Sequence, residues 1–209
     1  MAENIIIIKN HKVKNGDLMQ GIGDLMQEEK ADFIYSDPPW GLGNLRYWQT
    51  MNLKMNNVER VEQDYDTFIN KFFSIIKYYA TDRVVIEYGK RWRDDIIFKS
   101  NKFGFIYNGN TESFYKSGSK LLPLDIHFLS KKEKYNLTQK DKQECRDYNG
   151  LKLVEKIFDF YCPKNAKIIL DPMCGMGYTA QVSINRNLSF RGNELNKTRL
   201  GKTIQRLAK

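Results

Sequence analysis

The chain of 209 residues has few of the side chains on which common metal and nucleophile sites depend. It has only two histidines, His11 and His127, and they lie far apart in the sequence. Its three cysteines, Cys145, Cys162 and Cys174, form no C-x-x-C pair. Zinc sites and Ser-His-Asp triads need such residues at close spacing, so no metal site and no triad is predicted. Unpaired cysteines favour a reducing cytoplasm.

Long apolar runs are also missing. The stretch Ile5–Ile8 is shorter than the core of a signal peptide, and no run approaches the roughly 18 residues that suggest a membrane span. We therefore expect a soluble protein with no membrane partner. The length and the 41% content of hydrophobic residues predict a single globular domain, 1–209, with one core.

Positive charge is in excess, with 34 Lys and Arg against 25 Asp and Glu and a formal net charge of +9. This excess suits a polyanionic partner such as nucleic acid, and solvated surface charge explains it equally well. Two segments interleave cations with aromatic side chains and are candidate nucleic-acid contacts, although such residues also pack on ordinary surfaces. They are Arg46-Tyr47-Trp48 and Arg91-Trp92-Arg93.

Short β-branched runs alternate with stripes of helical period, which predicts an α/β fold. We predict buried parallel strands over Ile5–Ile8, Asp32–Ser36, Val84–Glu87 and Lys167–Leu170, and further strands over Phe103–Tyr107, Glu112–Tyr115, Ile126–Leu129 and Leu188–Gly192. Core-facing helices are predicted over Phe68–Tyr79, Leu151–Tyr161 and Leu200–Leu207. The repeat of Gly16–Gln20 in Gly23–Gln27 predicts one more helix. The polar, lysine-rich segment 117–149 is interpreted as an insertion or a target-contact loop over the sheet.

The tetrapeptide Asp37-Pro38-Pro39-Trp40 directly follows a predicted strand, at the end where open α/β sheets bind their ligands. The carboxylate of Asp37 and the carbonyl of Pro38 can accept hydrogen bonds from both N–H groups of a base amino group. The two prolines stiffen the loop and remove competing donors. Trp40 offers a face on which an extruded base can stack. The alternative is a rigid turn with Trp40 packed in the core.

A second loop, Asp171-Pro172-Met173-Cys174-Gly175-Met176-Gly177, stands between a predicted strand and a helix that begins near Tyr178. About twenty residues further on comes Glu194, where doubly wound folds carry an acid for ribose hydroxyls. This pattern predicts a nucleoside site. A phosphate loop is disfavoured because a third glycine and a G-K-[ST] motif are missing. Cys174 has no base nearby in the sequence, so it is interpreted as a small loop residue rather than a nucleophile.

With these two loops in this order, the chain resembles the circularly permuted β class of DNA amino-methyltransferases. Its 171–177 loop is similar to the D-P-F-C-G-S-G motif of that family, and Asn15-Gly16-Asp17 is similar to its G-D motif. The resemblance covers nearly the full chain. It implies a Rossmann-like, mostly parallel seven-stranded sheet with one antiparallel strand and helices on both faces.

The resemblance also implies S-adenosyl-L-methionine as the cofactor. Asp37, Asp171 and the loop that follows it (Pro172, Met173, Cys174, Gly175, Met176 and Gly177) would contact the cofactor. Glu194 would hold its ribose and Asp17 its adenine amino group, whereas the repeat copy Asp24 is expected to be exposed. The implied activity is a site-specific DNA methyltransferase, with adenine N6 favoured over cytosine N4 because cytosine enzymes usually begin the tetrapeptide with Ser. Methyl transfer would precede proton loss, with Asp37 as an electrostatic acceptor.

The chain departs from the family at three points. The family's usual Lys-Pro is replaced around Gly150-Leu151-Lys152, Met176 stands where Ser is common, and no large target-recognition domain is visible in the sequence. Two alternatives therefore stay open, an RNA adenine-N6 methyltransferase and a catalytically weak nucleic-acid-binding protein with the same fold. The first is supported by the Asp-Pro-Pro-Trp form and by Gly192–Leu195, which is similar to a segment of the RNA enzymes. DNA remains the favoured partner, with a homodimer as a further expectation.

Overall fold

The computed structural model describes residues 4–57 and 64–209. Its strands form one sheet in the order β1-β2-β8-β7-β3-β4-β6-β5. In chain order they are β1 (Ile5–Ile8), β2 (His11–Asn15), β3 (Ala31–Ser36), β4 (Ala80–Gly89), β5 (Ile106–Ser117), β6 (Lys120–Ser130), β7 (Ile168–Asp171) and β8 (Ser189–Glu194). The α-helices are α1 (Gly23–Met26), α2 (Gly41–Asn56), α3 (Tyr65–Tyr79), α4 (Arg93–Lys102), α5 (Gln139–Asp147), α6 (Gly150–Tyr161), α7 (Tyr178–Asn185) and α8 (Lys197–Leu207).

The predicted α/β class is confirmed, but the expected sheet of seven strands with one antiparallel member is wrong. Strands β2, β8, β7, β3 and β4 form a parallel centre. Strand β1 pairs antiparallel with β2, and β6 pairs antiparallel with both β4 and β5. The described sheet is therefore mixed and eight-stranded.

Several predicted elements differ from the structure. Strand β1 is an exposed antiparallel edge, not a buried parallel strand, because the chain reverses at Lys9 (φ 54°) and pairs back only with β2. The chain turns through Phe103 and Gly104, and the two strands predicted over 103–115 merge into the single strand β5. The repeat over 16–27 forms two short helical turns, Leu18–Gln20 and α1, because Gly21 (φ 85°) interrupts it.

The lysine-rich segment 117–149 does not lie over the sheet as a loop. It contributes strand β6, in which Leu124, Ile126 and Phe128 are buried, and helix α5. The lysines hide this role because they flank the strand rather than alternate within it. The composition of the segment, with charged ends around a short apolar centre, is typical of a loop. It forms a strand because it pairs with β4 and β5.

The core lies on both faces of the sheet. On one face α3 buries Phe68, Phe72 and Ile76, and on the other α6 buries Ile157 together with Leu200 from α8. The three helical stripes predicted from the sequence are thus confirmed. Each fully buried large apolar side chain contributes about 1.5–3 kcal/mol. Within the described ranges, none of the helices has the length and apolar character to cross a membrane.

The parallel centre brings the two motif loops together. Strands β3 and β7 are hydrogen-bonded neighbours, with Phe33 opposite Ile169 and Ile34 opposite Leu170. Since both strands run in the same direction, Asp37 and the 171–177 loop leave the sheet at the same edge. Glu194 ends β8, the next strand, so the three predicted acidic positions meet there.

Candidate active site

The loop after β3 is held by its own side chains. The indole Nε1–H of Trp40 donates to Oδ1 of Asp37 at 3.0 Å, and the backbone N–H of Trp40 donates to Oδ1 of Asn44 at 3.0 Å. The Trp40 ring meets Tyr115 edge-on, with ring centroids 5.1 Å apart. Helix α2 then starts at Gly41, whose φ of 67° and contact with Trp92 leave no room for a Cβ. Asp37 keeps its second oxygen for another donor.

The Asp37 carboxyl is open to a cavity, yet protein atoms surround it closely on its other sides. Desolvation raises its pKa to about 6, although the Trp40 hydrogen bond and the positive charge of Arg199 oppose the rise. The group is therefore ionised at pH 7 and can still exchange a proton near neutrality. That combination suits an acceptor for a developing positive charge.

The loop after β7 takes backbone conformations that favour glycine. Gly175 has φ 49° and Gly177 has φ 78°, and a Cβ on Gly177 would come within 2.6 Å of Oγ1 of Thr203. Oε2 of Glu194 accepts from the N–H of Gly175 at 2.9 Å, and its Oε1 accepts from Asn196 at 2.8 Å. Glu194 thus pins the glycine turn, and its remaining lone pairs can still accept from a ligand.

Asp171 has a similar double role. Its Oδ1 accepts from the N–H of Met173 at 3.2 Å, and its Oδ2 accepts from the hydroxyl of Thr179 at 2.8 Å. Burial raises the pKa of Asp171 to about 7. Desolvation likewise raises the pKa of Glu194. Asp171 and Glu194 are thus two desolvated acids beside a glycine turn, and a ligand that donates hydrogen bonds would stabilise them.

Two adjoining cavities open at this edge of the sheet. The first, of about 420 Å³, is lined by Asp17, Leu18, Pro39, Phe68, Pro172 and Glu194 among others. The second, of about 650 Å³, is lined by Pro38, Trp40, Asp171 and the loop from Cys174 through Gly175 and Met176 to Gly177. Asp37, Trp48, Met173 and Arg199 line both cavities. The structure therefore brings every predicted catalytic and cofactor residue to one of two connected spaces.

The two acidic copies of the N-terminal repeat separate as expected. Asp17 accepts from the N–H of Met19 at 2.9 Å and lines the first cavity. Asp24 is exposed and forms an ion pair with Lys14 at 2.6 Å. Of the two copies, Asp17 is therefore the one that lies at the cavity, and its contact with an adenine amino group stays a prediction.

The residues of the two segments that interleave cations with aromatic side chains differ in their surroundings. Trp48 lies beneath Arg199, 4.2 Å from guanidinium carbon to ring centroid, and belongs to both cavities. Arg46 and Tyr47 are exposed on α2, and Arg91 is exposed beside Trp92. Arg93 instead donates two hydrogen bonds to the buried Asp125, at 2.6 and 2.9 Å. Its charge is therefore paired with that of Asp125 and is less available to a phosphate.

Two ionisable residues of the second cavity, Arg199 and Glu87, were not predicted from the sequence. Glu87 had a signal, since it is a carboxylate at the end of the apolar run from Val84 to Ile86 near the carboxyl end of β4. Arg199 had none, because only the packing of α8 brings it over Trp48 and beside Asp37. Asn193 was also missed, and its amide bridges Gly16 and Pro172.

Neither a family model nor a curated protein matches the chain. Solved structures do match. The crystal structure of M1.HpyAVI is 21% identical, with a TM-score of 0.64, over 93% of this chain and 97% of that one. TTHA0409 from Thermus thermophilus, complexed with S-adenosyl-L-methionine, is 18% identical with a TM-score of 0.61, over 95% and 93%. PvuII DNA methyltransferase (cytosine-N4-specific) is 11% identical with a TM-score of 0.64, over 95% and 86%. The chain shares the fold of these proteins over nearly its whole length.

Proposed function

We propose that the protein is an S-adenosyl-L-methionine-dependent DNA methyltransferase that modifies the exocyclic amino nitrogen of a base, adenine N6 in preference to cytosine N4. The observation that carries this proposal is that Asp37 lines both cavities. The first cavity can then hold the adenosine group of a cofactor, and the second can hold the charged end of that cofactor at the glycine loop together with a base at Trp40. The fold neighbours M1.HpyAVI and TTHA0409 both have structures with S-adenosyl-L-methionine, which supports the choice of cofactor.

The residues of the first cavity fit an adenosine group. Leu18 and Phe68 give apolar surface for a purine, Asp17 gives an acceptor for its amino group, and Glu194 gives acceptors for ribose hydroxyls. Asn193 lines the same cavity, and its amide nitrogen donates to the carbonyls of Gly16 and Pro172, which joins the two loops that form this wall.

The glycine loop and Arg199 fit the charged end of the cofactor. Gly175 and Gly177 allow the backbone to approach a ligand closely, and Arg199 provides a cation for a carboxylate. When bound, S-adenosyl-L-methionine supplies an electrophilic methyl group on a sulfonium. Its charged end would occupy the part of the second cavity at the glycine loop, which leaves the part at Trp40 and Tyr115 for the base.

The residues of the second cavity fit an amino-bearing base. Trp40 and Tyr115 present aromatic surface, and Asp37 and Pro38 supply hydrogen-bond acceptors beside it. Asp37 orients the amine so that its nitrogen lone pair forms the new N–C bond while the C–S bond breaks and its electron pair stays on sulfur. The positive charge that develops on nitrogen is stabilised by the ionised Asp37, and the surplus N–H proton then leaves to this carboxylate or to water.

The order of the loops along the chain, with Asp37 before Asp171, supports the permuted class of amino-methyltransferases. DNA as substrate is supported by the net charge of +9 and by the fold neighbour PvuII, a DNA methyltransferase. The preference for adenine as the target base depends on Asp37, the residue that begins the tetrapeptide. Exposed Arg46, Tyr47 and Arg91 are the candidate contacts to the nucleic acid backbone and bases.

The test is incubation with methyl-labelled S-adenosyl-L-methionine and matched DNA and RNA, followed by identification of the methylated nucleoside. We expect N6-methyl-2′-deoxyadenosine in DNA from the wild type, none from Asp37→Ala, and unchanged activity from the exposed control Asp24→Ala. Label only in RNA would refute the substrate, and N4-methylcytosine would refute the base. No label in either nucleic acid, with cofactor binding intact, would leave only a nucleic-acid-binding protein.

A further inference from the structure

One carboxyl in the wall of the second cavity has no role in the proposed methyl transfer. Glu87 lies near the carboxyl end of β4, and the register pairs Ser36 of β3 with Ile86 of β4. Asp37 directly follows the paired Ser36 and Glu87 directly follows Ile86, so the two carboxyls lie near each other, and the charge of Asp37 acts on Glu87. Both line the cavity that would receive the base.

The surroundings of Glu87 favour its neutral form. The hydroxyl of Tyr35 donates to its Oε1 at 2.5 Å, and within the described residues the other oxygen has no hydrogen-bond partner. Desolvation, followed by the negative charges of Asp37 and Asp171, raises the pKa of Glu87 to about 8 against the Tyr35 hydrogen bond. At neutral pH the carboxyl therefore keeps its proton and is an O–H donor that faces a cavity.

A donor beside an acceptor matches one edge of an amino-bearing base. In adenine the N6 amino group lies next to ring N1, and in cytosine the N4 amino group lies next to ring N3; both ring nitrogens are acceptors. On their Watson–Crick edge, guanine and thymine carry a ring N–H beside a carbonyl oxygen, and the N2 amino group of guanine lies next to that N–H. Placed at the same position, this edge would set donor against donor and acceptor against acceptor. Such a mismatch leaves buried polar groups unpaired.

We propose that the neutral Glu87 carboxyl is a specificity-determining group that donates its O–H to the ring nitrogen adjacent to the amino group held by Asp37. This inference rests on the proposed function. Asp37 would read the amino group and Glu87 the neighbouring acceptor, so the two strands β3 and β4 together would select adenine and cytosine over guanine and thymine. Tyr35 orients the carboxyl by its hydrogen bond to the oxygen that does not contact the base.

A chemical double-mutant cycle tests the contact. Wild type, Glu87→Gln and Glu87→Leu are each assayed on DNA that carries, at the mapped target, either the natural base or its deaza analogue, 1-deazaadenine for adenine or 3-deazacytosine for cytosine. We expect the wild type to lose about 10- to 100-fold in kcat/KM on the analogue. Glu87→Leu should lose as much on the natural base and little more on the analogue, whereas Glu87→Gln, which still donates an N–H, should stay within a few-fold of wild type on the natural base.

The cycle separates this contact from other effects of the changes. A deaza ring also alters the amine, and Glu87→Leu also removes the bond to Tyr35, but neither effect gives non-additivity between the two changes. Penalties that add, or equal losses in Glu87→Gln and Glu87→Leu, would overturn the inference. Thermal unfolding and cofactor binding of each variant show whether it is folded. If the wild type methylates no base, the proposed function fails instead.

The pH profile gives a second readout. The groups that face Glu87 are Tyr35, Asp37, Asp171 and Cys145. Burial raises the pKa of Tyr35 well above its usual value and that of Cys145 to about 12, and Asp37 and Asp171 are ionised at alkaline pH. The KM of the wild type for DNA should therefore rise about tenfold per pH unit above about 8, since among these facing groups only Glu87 then loses its proton. In Glu87→Gln the KM should stay flat, and an identical rise in both proteins would refute the role.

Discussion

Replacement of Asp37 by Asn should slow methyl transfer and at the same time stabilise the fold. The side chain keeps its size, and its Oδ1 can still accept from the Trp40 indole, so the loop should retain its shape. What disappears is the negative charge that stabilises the methylated, positively charged amine. Loss of one preorganised electrostatic contact of this kind costs about 10²–10³ in rate. Single-turnover methyl transfer with saturating cofactor measures this step, and cofactor affinity should change by less than about threefold because Asp37 contributes little ground-state binding energy.

The stabilisation follows from the raised pKa of Asp37, about 6 against an ordinary value of 3.8. The folded state holds this proton more tightly than the unfolded state, so the ionised carboxylate destabilises the fold. The penalty is absent below about pH 4, grows between pH 4 and 6, and is constant above that. A pKa difference of about 2 corresponds to about 3 kcal/mol. Because the side chain is open to the cavity, solvent screening reduces this to about 1 kcal/mol.

Thermal unfolding at two pH values measures the effect. At pH 7.5 Asp37→Asn should raise Tm by about 2–4 °C, and at pH 4 the two proteins should unfold together. The exposed control Asp24→Asn should show no such gain, since Asp24 loses an ion pair with Lys14. In the wild type, turnover should fall about tenfold per pH unit below about 6 as Asp37 takes up its proton. An unchanged rate of methyl transfer in Asp37→Asn, or a lower Tm at pH 7.5, would refute the assigned role.

Three further predictions follow from packing at the site. Trp40→Ala should raise the KM for DNA about 5- to 150-fold with smaller change in cofactor affinity, because stacking contributes about 1–3 kcal/mol per base; an unchanged KM would exclude stacking. Gly177→Ala should weaken cofactor binding, measured by calorimetry, by more than tenfold, because the φ of Gly177 is 78° and the new Cβ would overlap α8. The control Gly43→Ala places its Cβ in open space on α2 and should leave the cofactor affinity unchanged. Arg93→Ala should lower the free energy of unfolding by about 3 kcal/mol, because Asp125 would stay buried without its partner. A loss of DNA affinity with unchanged stability would contradict this and would support Arg93 as a nucleic-acid contact.

Local chemistry made the two loops visible in the sequence. Prolines after Asp37 and glycines after Asp171 interrupt apolar runs at strand ends, and each interruption is a short-range pattern that needs no partner. The same holds for the stripes of α3, α6 and α8, whose period of 3.6 residues is set by the helix itself. These elements were predicted with bounds within a few residues of the structure.

The pairing of strands that are distant in the chain could not be predicted from the sequence. Ile5–Ile8 has the composition of a buried strand, but it became an exposed edge because no further strand pairs with its free side in the described sheet. Strand β6 has charged ends and was interpreted as a loop, although β4 and β5 both pair with it. A strand is stabilised by its neighbours, so its place in the sheet is a property of residues distant in the chain.

The sequence by itself determined the chemical groups of this site, an acid and two prolines in one loop and a glycine turn with a distant acid in another. Only the tertiary structure decided that Asp37 lines two cavities and that Arg199 and Glu87 lie close enough for their charges to act on it. The physical reason is that pKa values, cavities and cross-strand neighbours arise from desolvation and packing among residues far apart in the chain. Such contacts leave no periodic trace in a single sequence.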